Sequence, residues 1–311
     1  MRAILAGVAV AALALSATVG AQRPAPTSAD FELLQVQGNV WAIFTGASNV
    51  VVQAGPNGAV IVDTATAAVT DRILAEVTTL TDQPIRMIIN TNVDLDHIGG
   101  NDVVSKSGMP LPGTQTSELP IVGHQNGAAR LAKQAVNPLP VAFWPSNTFF
   151  GEKKTLHLNG EPIEIIHVPA AHSDADVMVH FRGSDVLATG DVFSTQSYPV
   201  FSPETGGSIQ GVLDALNRII DITIPEINQQ GGTLVVPGHG RIANESEVVD
   251  YRDMATIVRD RIKTMIEAGR TLDQIKAARP TLEYDGLYGS GAVTGAAFVE
   301  AVYRDLARRQ P

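Results

Sequence analysis

The twelve residues 90–101 read NTNVDLDHIGGN and hold two carboxylates, Asp94 and Asp96, an imidazole, His97, and the amides of Asn90, Asn92 and Asn101. That density of oxygen and nitrogen donors beside a glycine pair suits a divalent cation. Three more chemically loaded stretches follow: His172 in PAAHSDAD, Asp191 in ATGDVF and His239 in VVPGHGR, each just past an apolar run. A lone loop histidine or aspartate is more often solvated or a helix cap than a ligand. Four strand ends that each deliver a donor are another matter, because a metal cage is built by loops held on a rigid scaffold. The remaining histidines, His124, His157, His167 and His180, read as structural, the last three because they lie inside strand-like runs.

The elements that must position these groups come in two cycles. Short β-like runs at 31–36, 40–45, 49–54 and 59–62, separated by turns, suggest an antiparallel meander. A helical segment at 69–80 and a buried-strand pattern at 85–89 follow, so that the 90–101 stretch leaves the end of a strand and a helix begins near Ile98. The second cycle has strands at 155–158, 163–168, 177–181 and 186–188, a helix at 208–222 and a strand at 233–236. Strands and then helix, twice over, describe two similar halves, each a sheet covered by helices. Helices at 245–268 and 295–309 close the chain. Both read as packing elements, the latter apolar at Phe298, Val302 and Leu306.

The order D-H-x-G-G-N, A-H-S-D, G-D and P-G-H-G, each after an apolar strand, resembles the metallo-β-lactamase-fold superfamily of metal-dependent hydrolases over residues 31–243. The resemblance implies an α/β fold, an αββα sandwich with its metal site at the open edge between the sheets. The family motif T-H-x-H-x-D-H-x-G-G-N is met here with Asn92 and Asp94 in the places of its first two histidines. By the same resemblance, Asp96, His97 and His239 form one intact metal site. His172, Asp94 and Asn92 form a rebuilt one, and Asp191 is able to bridge the two. Asp63, at the end of 59–62, matches an aspartate that braces the metal loops.

Asn92 offers a neutral amide oxygen, a poor zinc ligand beside imidazole, whereas Asp94 binds through a carboxylate. The expected cofactor is therefore one tightly held zinc with a second ion bound weakly, and iron or manganese tolerates the rebuilt set better. The implied reaction is hydrolysis of an amide or ester carbonyl by a metal-bound hydroxide, with Asp96 orienting or deprotonating the water. A β-lactam or a related lactone or ester is the expected substrate. The aromatic, Pro-rich segments 136–151 and 192–207, which hold no Lys or Arg, are candidates for an apolar rim. Rival readings are a non-catalytic metal-binding pseudoenzyme and an iron-dependent redox member of the fold.

Composition narrows the partners. A formal charge of −10 without a Lys/Arg cluster disfavours nucleic acid, and the absence of cysteine rules out disulfides and thiolate ligands. Residues 1–21, with one Arg, an apolar run and Val19-Gly20-Ala21, read as a signal peptide. The expected product is a periplasmic or secreted single domain, 22–311, acting on a small molecule, without stable membrane association.

Overall fold

The computed structural model describes residues 31–308 apart from 115, 135–137 and 229–230. The expected signal peptide lies outside the described residues. Among these residues the strands form two sheets, of seven and five strands. The first runs in sequence order: β1 (Glu32–Gln37), β2 (Val40–Phe44), β3 (Asn49–Gly55), β4 (Gly58–Val62), β5 (Ile85–Ile89), β6 (Ile121–His124) and β7 (Asn147–Phe149). It is antiparallel from β1 to β4 and parallel from β4 to β7. The second holds β8 (Lys153–Leu158), β9 (Glu161–Val168), β10 (Asp176–Phe181), β11 (Val186–Ser194) and β12 (Leu234–His239), antiparallel except for the last pair.

The period of two along each strand decides the layering. In β3 and β4, Val51, Val60 and Val62 point inward to meet Ile163, Ile165, Val177 and Val179 of the second sheet. Val50, Val52, Ala59 and Ile61 point outward, against Ile73 and Val77 of α1 (Thr70–Leu80). Both faces are buried, so these strands read as unbroken apolar runs instead of alternating ones. On the outer face of the second sheet, Met178 and Leu187 pack under α5 (Ile209–Ile222), α6 (Glu245–Glu267) and α9 (Gly295–Arg308). The result is the expected helix–sheet–sheet–helix sandwich. None of its helices is long and apolar enough to cross a membrane, among the described residues.

Several local expectations change. The single helix expected near Ile98 is two short ones, α2 (Leu95–Ile98) and α3 (Asn101–Ser107). Gly99 and Gly100 separate them at ordinary negative φ. Their glycine requirement is one of space: a Cβ on Gly99 would lie 2.5 Å from the Leu95 carbonyl oxygen, and one on Gly100 2.5 Å from that of Thr64. The strand expected to end at Ala188 continues to Ser194, with its register against β12 shifting on either side of Gly190. Strands β6 and β7 and the helix α4 (Gln125–Ala132) lie between the two cycles where none was expected.

Candidate metal centre

Six of the expected ligands gather at one edge of the sandwich. Their donor atoms fall into two groups, each with all atoms within 4.8 Å of one another: Asp96, His97 and His239, and Asp94, His172 and Asp191. His97 is fully buried at the end of α2. Its Nδ1 donates to Asp63 Oδ2 at 2.7 Å, which leaves Nε2 to face the site, 3.1 Å from Asp191 Oδ2 and 3.9 Å from Asp96 Oδ2. His172 is oriented in the same way: the Val200 carbonyl can only accept, so Nδ1 donates to it at 3.0 Å and Nε2 turns to Asp94 Oδ2, also at 3.0 Å. His239 ends β12, with Nε2 3.3 Å from Asp96 Oδ2 and 3.2 Å from Asp191 Oδ1.

The supporting contacts come from distant parts of the chain. Asp63 also accepts from the Thr91 backbone N–H at 2.7 Å and from the Thr91 hydroxyl at 2.5 Å. It does so at φ 61°, a left-handed backbone that costs energy and is held where a function needs it. Asn49, opening β3, donates to the carbonyls of Pro237 and Gly240 and so pins the His239 turn of one sheet to the other. Asn90 and Asn101 exchange amide hydrogen bonds across the metal loop, and Asn101 also donates to the Phe143 carbonyl. Gly190, at φ 53°, lets β11 pass Thr91 where a Cβ would lie 2.5 Å from the hydroxyl, and this delivers Asp191 from within a strand.

The geometry passes a test for a bound cation. His97 Nε2 and Asp191 Oδ1 are buried without an aligned hydrogen-bond partner, although Asp191 Oδ1 is only 3.2 Å from an imidazole nitrogen. Buried polar atoms left unpaired need a partner, and an ion held among donor atoms this close would supply one. Two imidazoles and a carboxylate at Asp96–His97–His239 fit zinc. Asp94–His172–Asp191 fits a divalent ion through two carboxylates and one imidazole.

Electrostatics point the same way. Burial alone would depress the His97 pKa, but the carboxylates of Asp191 and Asp63 overcome it and lift the group well above its usual range. His172 and His239 are likewise penalised by burial, yet Asp94 lifts the first to about 9, and Asp191 with Asp96 lifts the second to about 9. Burial opposes ionisation of Asp191 as well, but His97 and His239 hold it well below the usual carboxylate range. These carboxylates therefore favour protonated imidazoles whenever no ion is bound. At pH 7 His172 and His239 carry Nε2 protons that an ion must displace, so uptake should release protons. The apparent affinity should then climb by roughly tenfold per pH unit for each proton released, through pH 6–8 and up to about 9. Ordinary histidines near 6.5 would show no such climb above about pH 7.5. Calorimetric titration in buffers of differing ionisation enthalpy reads this directly, and a pH-independent affinity from 7.5 to 8.5 would contradict it.

Asn92, the seventh expected ligand, lies in the same place with its amide engaged: Nδ2 donates to Asp191 Oδ2 at 3.0 Å, and Oδ1 accepts from the Asp94 backbone N–H at 2.8 Å. Of the histidines read as structural, His124 and His167 stack at 3.6 Å between ring centres, and none joins either donor group.

Both donor groups open into a cavity of about 240 Å³. Its walls are Ser194, Gln196, Ser197, Tyr198 and Val200 from β11 and the following loop, Tyr251 from α6, and Ala292. The segment 192–207 therefore lines the site as expected, whereas the described part of the other, 138–151, does not. Phe143 and Trp144 instead pack beneath the metal loop against Val93, Ile98 and Leu131. One of the two closing helices, α6, does more than pack, since Tyr251 sits at i, i+3/i+4 spacing with Val248 and Ala255 like any core residue and still reaches the cavity. A larger cavity of about 420 Å³ lies by the β10–β11 turn around His180, Arg182 and Asp185 and contains neither donor group.

Two sheets between helices, with paired candidate metal-binding groups at their open edge, define a class of αββα protein. Residues 43–239 match the sequence profile of the metallo-beta-lactamase superfamily, and the chain belongs to that superfamily, whose members are mostly hydrolases. Similar solved structures include the stereoselective inverting sec-alkylsulfatase Pisa1 from Pseudomonas sp., with a TM-score of 0.68 at 15% identity. That match covers 88% of this chain, which spans 50% of the length of the sulfatase. A metallo-beta-lactamase from Pontibacter korlensis has a TM-score of 0.57 at 19% identity, over 73% of this chain and 99% of that one. The DIM-1 metallo-beta-lactamase has 0.54 at 16%, over 75% and 98%. At these identities the likeness is one of fold. A search of curated proteins finds no match.

Proposed function

We propose that the protein is a metal-dependent hydrolase of a small, cyclic or activated amide or ester, with β-lactams and lactones the first candidates. The observation that carries this reading is the floor of the cavity, where two donor groups meet around Asp191 below uncharged walls. Bound divalent ions would supply Lewis acidity to a water and to the substrate oxygen.

The chain's own residues supply the rest. Burial tends to raise the pKa of Asp96, but its hydrogen bond with His239 and the nearby His97 bring the group below its usual value. It is therefore a carboxylate throughout the working range, its side chain 37% exposed, so that while Oδ2 faces His97 and His239 its second oxygen can orient a water and take its proton. The same carboxyl group then returns that proton to the leaving nitrogen or oxygen. Tyr198 donates its hydroxyl to Asp285 and Tyr251 to the Ser197 carbonyl, so neither polar tip is left unpaired in the cavity wall that both residues help to form. Among the described residues no Lys or Arg lines the cavity, which favours an uncharged group in it.

The test is a panel of β-lactams, lactones and aryl esters, with a secondary sulfate ester as an outgroup, assayed with zinc, manganese and iron. Turnover of at least one carbonyl substrate, abolished by a chelator and restored by metal, is the expected result. Hydrolysis of the sulfate ester alone, or of nothing, would overturn the assignment.

A further inference from the structure

The place taken by Asn92 belongs to a histidine ligand in the family motif, yet the amide here faces other work. Its two hydrogen bonds have opposite polarity: the NH₂ donates to Asp191 Oδ2 and the carbonyl accepts from the Asp94 N–H. Flipping the amide would set oxygen against carboxylate and NH₂ against N–H, so the orientation is fixed. The side chain is almost wholly buried, which makes both contacts costly to lose. The residues it touches, Asp94 and Asp191, are two of the three donors in one group. One of them, Asp191, has its other oxygen buried and without an aligned partner, aimed into the site.

We propose that Asn92 is a positioning residue and not a metal ligand: its NH₂ holds Asp191, and its carbonyl fixes the turn that presents Asp94. The proposal rests on the metal-site reading above. It leaves that group with two carboxylates and one imidazole, against one carboxylate and two imidazoles in its neighbour. The second ion thus meets a harder donor set than the first, and zinc's advantage over manganese should be smaller there.

The experiment compares wild type with Asn92→Ala and Asn92→Asp. Each is loaded with one equivalent of zinc, which is silent in electron paramagnetic resonance, and then titrated with Mn²⁺ while the signal of the free ion is followed. A positioning NH₂ gives the order Asn, then Ala, then Asp. The alanine only loses the donor, whereas the aspartate sets a carboxylate against that of Asp191, and at least a tenfold weaker Mn²⁺ site than wild type is expected. A ligand oxygen gives the order Asp, then Asn, then Ala, because a charged carboxylate binds Mn²⁺ better than a neutral amide and alanine offers no oxygen, so tighter binding by Asn92→Asp than by wild type would overturn the proposal. Retention of the first zinc at wild-type affinity and an unchanged circular dichroism spectrum separate this effect from general damage. Should Asn92→Asp fail to fold, Asn92→Ala and a second readout carry the test: loss of Mn²⁺ affinity with the zinc retained, together with no carbon-13 hyperfine coupling from amide-labelled asparagine at the Mn²⁺ bound by wild type, supports positioning, and unchanged Mn²⁺ affinity or a resolved coupling overturns it. Wild-type protein that takes up zinc but no Mn²⁺ also overturns it, while protein that takes up neither ion defeats the metal reading itself.

Discussion

Asp96→Ala and His239→Ala should each remove the tightly bound ion and the hydrolytic activity together. Each substitution leaves the Asp96–His97–His239 group with two donors, too few for tight binding of zinc. The expected loss of kcat/KM is roughly 10³-fold, about 4 kcal/mol of transition-state stabilisation at about 1.4 kcal/mol per tenfold, within the several kcal/mol that Lewis-acid catalysis supplies. Folding should be nearly indifferent to Asp96→Ala, whereas His239→Ala also takes a partner from the buried Asp191 and should lower the melting temperature of the metal-free protein. The two side chains are 37% and 27% exposed and meet each other at the cavity floor, where an ion pair of this kind is worth about 1 kcal/mol or less. Metal analysis after dialysis, kinetics on the best substrate of the panel and a thermal melt of the metal-free protein make the comparison. If His239→Ala keeps its ion and its turnover, the group does not hold the catalytic metal.

Asp63→Asn should do the opposite, damaging fold and metal affinity through a residue that does not face the cavity. Asp63 sits at positive φ, which asparagine tolerates better than most residues, so the substitution changes the charge and one acceptor while adding little backbone strain. Its carboxylate accepts three hydrogen bonds, from the Thr91 N–H, the Thr91 hydroxyl and His97 Nδ1. An amide can satisfy at most part of that set and brings an NH₂ against a donor in a dry interior. The expected cost is about 3 kcal/mol of stability, typical of leaving a buried donor or charge unpaired. Ion affinity should fall by about 10–100-fold, because the ring of His97 loses the partner that aims Nε2 at the metal. Differential scanning calorimetry and metal titration on the same preparation test both. Reduced stability with wild-type affinity would show that Asp63 serves Thr91 alone.

The residues of the centre were legible because their types are scarce and their settings repeat. Asp94, Asp96 and His97 share one loop, and His172 and His239 stand where apolar runs stop. The sandwich was legible for a related reason: apolar runs too continuous for a one-sided sheet demand a layer on each face. The short strands β6 and β7 were not, since three or four residues carry too little periodicity to register. Asp191 was expected in a loop because Gly190 reads as a turn, whereas that glycine serves the close approach to Thr91 inside a strand.

What the sequence by itself determined is the list of donors and the layering that brings strand ends to one edge, because both follow from residue type and local period. Tertiary structure alone decided what each donor faces. Asn92 reads locally as a weak ligand, but its NH₂ meets Asp191, 99 positions away, only when the two sheets stack. Tyr251 reads locally as core and becomes a cavity wall only when α6 crosses the end of β11. Hydrogen-bond direction and cavity shape belong to pairs of groups, and the chain does not choose those pairs until burial of the shared core has fixed one sheet against the other.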